Sequence, residues 1–165
     1  MSLREARRAG SLLLWHARRV PGRKDLHLVF EQISTGGCRS YLLGCDETCA
    51  AALIDPELTQ VDRYLALAAR DGLRIRYVID THTHADHFSA TRRLAHDLKV
   101  PLVMHRHTPA RGIDMRVDDG ELIVVGKLRL KVLHTPGHTI DSMCLVAADR
   151  VFTGDATPSS NSCRT

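Results

Sequence analysis

Residues 75–87 read IRYVIDTHTHADH, a short apolar run that delivers three histidines and an aspartate into its last six positions. This constrains the fold more than any other feature. An apolar run of strand length must be covered on its faces, yet its end opens onto polar, ligand-forming groups. In an extended chain, residues two apart point to the same side, so His82 and His84 can present both imidazoles to one point. Asp86 and His87 follow where the chain must turn, and they can face the same cavity from a second direction. Neutral imidazole and carboxylate suit first-row metals such as zinc and iron.

Two further stretches share this logic. HTPGHTID (134–141) follows a strand pattern, and its Pro136-Gly137 pair makes a tight turn that holds His138 at the strand's end. VFTGDAT (151–157) also ends a strand, with Gly154 permitting close backbone approach and Asp155 projecting beyond it. All three groups lie at C-terminal strand ends, where active sites of layered α/β folds gather.

The intervening elements agree with such a layered fold. LHLVFEQI (26–33) reads as a strand and Gly36-Gly37 as a turn. RSYLLG (39–44) and AAALID (50–55) read as a strand pair closed by Pro56. Residues 60–72 place Val61, Tyr64, Leu65 and Ala68 on one helical face, with Gly72 as the stop. Residues 89–99 read as a helix with Ser89 at its N-cap, and 101–105 as a strand. Residues 117–125 form a DG turn between apolar runs, 126–135 alternate through Leu128, Leu130 and Val132, and 142–155 are two strands around Ala148 to Arg150. Strands dominate, with two helices between early ones. The expected class is a β-rich α/β layered domain, and the hairpin-short connections exclude a pure βαβ repeat.

Charge separates the N-terminal stretch from the rest. Residues 1–24 carry seven Arg or Lys against Glu5 alone, a net of +6, which leaves −2 of the chain's +4 for the remainder. The central part is mildly acidic, so nucleic-acid binding is not expected. Residues 1–25 read as a basic leader with an apolar patch, Leu12 to Trp15, too short for a signal core or a membrane span. A solvated leader or peripheral helix fits it, and so does an organelle transit peptide. The expected location is cytoplasmic, or the mitochondrial matrix on the transit-peptide reading. Five cysteines, an odd number without a CxxC pair, fit free thiols in a reducing compartment better than a disulfide framework. Cys45 and Cys49 flank DET, which reads as a loop.

THTHADH, TPGHT and FTGDA together resemble the HxHxDH, distal-histidine and bridging-aspartate motifs of the metallo-β-lactamase superfamily. The resemblance spans residues 26–157 and implies an αββα sandwich with metal held between two sheets. Residues 158–165 are then a short polar tail. Within the superfamily, CRSYLLG (38–44), AALIDP (51–56), LHTPGHT (133–139) and VFTGDA (151–156) are most similar to the persulfide dioxygenase branch. That branch implies one non-haem Fe(II) held by His82, His138 and Asp155, with His84, Asp86 and His87 orienting the ligands. It also implies oxidation of glutathione persulfide by O2 to sulfite.

The rival is a zinc hydrolase of the glyoxalase II type, acting on a glutathione thioester. It would place His82, His84 and His138 on one metal and Asp86 and His87 on a second, with Asp155 bridging. That arrangement calls for a further late histidine, and this chain has none after His138. Family members continue well past the bridging aspartate, so the second half of the sandwich is expected to be largely missing. A partner chain, such as a second copy in a homodimer, would complete it. Otherwise the chain is a shortened metal-binding relative without turnover. His105 and His107 alternate after a strand but adjoin no third histidine, and read as surface residues. His134, four positions before His138, reads as packing. His16, His27 and His96 have no supporting pattern.

Overall fold

A computed structural model describes residues 28–35, 38–84 and 88–154. The basic leader, the Gly36-Gly37 turn and the polar tail lie outside the described residues.

Among the described residues, ten strands form two sheets. The first runs in the order β1 (Leu28–Thr35), β2 (Cys38–Cys45), β3 (Ala50–Ile54), β4 (Arg74–Ile79), β5 (Leu102–His105) and β6 (Met115–Val117). β1, β2 and β3 pair antiparallel, as hairpin-short connections require, and β3 to β6 pair parallel. Parallel neighbours need a crossover. Helix α1 (Val61–Arg70) supplies it between β3 and β4, and helix α2 (Thr91–Leu98) between β4 and β5. The second sheet, in the order β10 (Arg150–Phe152), β9 (Met143–Ala147), β8 (Leu128–His134) and β7 (Leu122–Val125), is antiparallel throughout.

The burial pattern follows from this layering. β3 is buried at every position, because one face meets helices and the other meets the second sheet. Leu42, Leu53, Val78, Tyr64, Ala68 and Leu94 form the layer between the first sheet and the helices. Leu43, Ile54, Ile79 and Val103 meet Leu130, Val132, Leu145 and Phe152 between the sheets. β7 and the first five residues of β8 keep the alternation of a strand with one solvated face. No described helix packs on the outer face of the second sheet, so the described layers run helix, sheet, sheet.

Three local expectations are corrected. Leu65 is 37% exposed, whereas Val61, Tyr64 and Ala68 face inward, so the buried stripe of α1 is narrower than its periodicity implied. The N-cap of helix α2 is Ala90 rather than Ser89; the Ser89 hydroxyl still accepts the Thr91 amide at 3.1 Å, one step outside the usual cap. The Asp119-Gly120 turn is not a hairpin. Gly120 has a positive φ of 79°, but β6 before it belongs to the first sheet and β7 after it to the second. The β7–β8 hairpin of the second sheet turns instead at Gly126, whose φ is 61°.

Candidate metal centre

Parallel pairing brings the ends of β3, β4 and β5 to one edge, and β8 and β10 end facing them. β3 and β4 each finish in Ile-Asp. Asp55 adopts a left-handed φ of 49°, a conformation aspartate tolerates better than most residues, and this turns its carboxylate across the end of β4. There its Oδ1 accepts the Thr81 amide at 2.7 Å and its Oδ2 accepts the Thr81 hydroxyl at 2.8 Å.

That second bond sets the histidine beside it. A hydroxyl has one proton, and Thr81 spends it on a carboxylate that can only accept. The contact between Thr81 Oγ1 and His82 Nδ1, at 3.0 Å, therefore runs from the ring N–H to the hydroxyl. His82 is thus held with its proton on Nδ1, which leaves Nε2 as the metal-binding nitrogen. Hydrogen bonding of the far nitrogen is the usual means by which a protein orients a ligating imidazole. His82 is 3% exposed, so this orientation is protected from water.

His84 is held differently. Its Nε2 lies 3.3 Å from Asp55 Oδ1 and 3.4 Å from Asp80 Oδ1, with both contacts almost wholly buried. Burial pulls the imidazole's pKa down, but the two carboxylates outweigh it and push it up to about 10. Asp80 is itself braced by the hydroxyls of Thr91, at 2.6 Å, and Ser89, at 3.0 Å. An ion shared with His82 would meet His84 through Nδ1. Ligand atoms of Asp55, His82 and His84 all lie within 4.8 Å of one another, close enough to surround one cation.

The second and third strand-end loops reach this point. Ring centroids of His82 and His84 are 4.1 Å apart, and those of His82 and His138 are 5.1 Å apart in an edge-on arrangement. His138 rides on the exposed loop after β8, which is closed by the Thr135 amide donating to the Ser142 carbonyl at 2.9 Å. Asp141 steadies the loop opposite: its buried Oδ2 accepts the Thr83 hydroxyl at 2.7 Å. From β10, Gly154 packs so tightly that a Cβ there would stand 2.2 Å from Thr81 Oγ1 and 3.4 Å from His82 Nδ1. Asp86, His87 and Asp155 lie outside the described residues.

A second histidine group was not legible in the chain order. His105 is buried at 1% exposure rather than a surface residue, and its ring stacks on His134 at 4.0 Å and 10° between planes. Burial first, then the neighbouring His134 and His107, hold the His105 imidazole below its ordinary pKa. Asp55 and Asp80 were also missed as site residues. The repeated Ile-Asp ending on AALID and YVID is the signal that marks them.

Comparison with known proteins bears on this geometry. A family model described as the metallo-beta-lactamase superfamily matches residues 33–164. Hydroxyacylglutathione hydrolase of Nitrosococcus oceani is 36% identical over 78% of the chain, which spans 51% of that protein. Human mitochondrial persulfide dioxygenase ETHE1 is 37% identical over 79% of the chain, which spans 52% of that protein. The crystal structure of ETHE1 from Myxococcus xanthus superposes with a TM-score of 0.73 at 39% identity, covering 76% of this chain and 56% of that one. The chain thus spans about half the length of the curated relatives it matches.

Proposed function

Since this chain belongs to the metallo-β-lactamase superfamily, we propose that it contributes the metal centre of a persulfide dioxygenase, with Fe(II) held by His82, His138 and Asp155 and glutathione persulfide as substrate. The observation that carries the reading is the relay from Asp55 through Thr81 to His82, whose ring lies 5.1 Å from the His138 ring. Two imidazoles and one carboxylate leave coordination positions open for other ligands, as oxygenases using this set require. The identity of 37–39% to persulfide dioxygenases from two sources adds to it.

When bound, the iron would supply the redox chemistry by which glutathione persulfide, O2 and water become glutathione and sulfite. The chain's own residues have other tasks. His82, fixed by Thr81, keeps its donor nitrogen aimed without a rotameric search. Asp55 and Asp80 together hold the His84 ring in place beside His82. Gly154 brings the backbone close against Thr81.

A second reading follows from the placement of His84. Its ring is near enough to His82 to join the same ion, as a zinc thioester hydrolase would use it, and the Nitrosococcus oceani relative is a hydroxyacylglutathione hydrolase. Metal analysis of the purified chain, with O2 uptake on glutathione persulfide and cleavage of lactoylglutathione, separates the two. Iron with O2 uptake supports the dioxygenase. Zinc with thioester cleavage selects the hydrolase. Metal without either activity defines a binding protein that lacks turnover. Full iron retention by Asp155→Ala refutes the assignment of that ligand.

A further inference from the structure

We propose a second metal site, formed by His105, His107 and His134, that takes a divalent transition ion of the zinc class and ties the two sheets together. It is independent of the centre around His82 and uses none of its residues.

The three imidazoles come from different places. His105 ends β5 in the first sheet, His107 follows two residues later, and His134 ends β8 in the second. Their ligand atoms lie within 4.8 Å of one another. Ring centroids are 4.0 Å apart for His105 and His134, 5.1 Å for His105 and His107, and 5.2 Å for His107 and His134. Three imidazoles with a fourth position open is a recognised zinc arrangement.

Two hydrogen-bonding facts point to an ion rather than to simple stacking. His134 Nε2 lies 2.9 Å from the Ile140 carbonyl, which can only accept, so its proton is on Nε2 and Nδ1 is the donor nitrogen. His105 Nε2 is fully buried and has no hydrogen-bond partner among the described residues. The nearest carboxylate oxygen, Asp118 Oδ1, stands 4.0 Å away. A buried ring N–H left in this state is costly, and a cation that displaces its proton removes that cost. The other His105 nitrogen makes one long contact, from the His107 amide to Nδ1 at 3.3 Å. Binding through Nε2 moves the ring proton to Nδ1 and requires that contact to open. Asp118, which also pairs with Arg106, sits at the rim as a fourth donor or as the partner of a bound water.

The test is zinc titration of the whole chain by equilibrium dialysis, with NMR of the imidazole protons. The expected result is one equivalent whose binding shifts the His105, His107 and His134 ring signals. That equivalent should survive His82→Ala and weaken at least tenfold in His107→Ala and in His134→Ala. His107 is exposed, so its loss leaves the fold intact. Should His134→Ala misfold, His107→Ala and the wild-type ring shifts decide alone. Unmoved ring signals, or an equivalent that disappears with His82→Ala and persists in His107→Ala, would overturn the site.

Discussion

The interaction between Asp55 and His84 offers a quantitative test of how the candidate centre is built. The perturbation is a double-mutant cycle of Asp55→Asn and His84→Gln, with metal removed by a chelator. Asparagine keeps an acceptor for the Thr81 amide, but it deletes the charge and the second acceptor that takes the Thr81 hydroxyl. At the observed 3.3 Å, unit charges attract by about 5 kcal/mol with an effective dielectric constant of about 20. Asp80 shares the imidazolium from 3.4 Å, so part of that attraction survives the change. Breaking a buried pair from one side typically costs about 3–5 kcal/mol, and the shared partner puts Asp55→Asn near the lower end. His84→Gln should be comparably harmful, because it leaves Asp55 and Asp80 facing each other without a cation. The coupling energy should then be roughly 2–3 kcal/mol, near the top of the range for residues in one network. Urea unfolding at pH 7, followed by far-ultraviolet circular dichroism, measures all four proteins, and unchanged denaturant slopes validate the comparison. A coupling below about 0.5 kcal/mol would mean that the imidazolium is not held by Asp55, and the electrostatic account of the site would fail.

Two further outcomes follow from named contacts. Gly154→Ala forces a left-handed φ of 53° on a residue with a Cβ and drives that atom into Thr81. It should cost roughly 2–4 kcal/mol in urea unfolding and weaken metal retention, whereas an unchanged midpoint would show that the close approach is not real. Burial works to raise the Asp141 carboxyl, but the hydroxyls of Thr83, Thr139 and Thr108 prevail and hold its pKa below the ordinary value. A depressed folded-state pKa gives stability that is present above the unfolded value and lost as pH falls through the folded one. Asp141→Asn should therefore be less stable than wild type at pH 7, with the gap closing in acid; a gap that is the same at both pH values refutes the assignment.

The order of strands and helices could be read from the chain because local pattern decides it. Apolar runs of five or six residues, the period of α1 and the glycines at turns are all short-range signals. The polar network is not short-range. Asp55 reads as a strand terminator until parallel pairing sets it against Thr81, 26 residues later. His105 and His107 read as surface residues because their third member, His134, arrives from the other sheet. The Asp119-Gly120 turn misleads for the same reason. Its local chemistry is that of a hairpin, but Val117 pairs with His105 while Leu122 pairs with Lys131. By contrast, the closeness of His82, His138 and Gly154 was legible because each follows the end of its own strand, and strand ends converge in this kind of layering.

Among the described residues, β10 is three residues long and pairs on one side alone, with β9. Short margins of a sheet unzip at little cost, well before the interior does. Yet this margin carries the glycine that leans on Thr81. Each brief unzipping removes one wall of the pocket around His82, so the time an ion dwells there and the amide exchange of Phe152 should run on one clock.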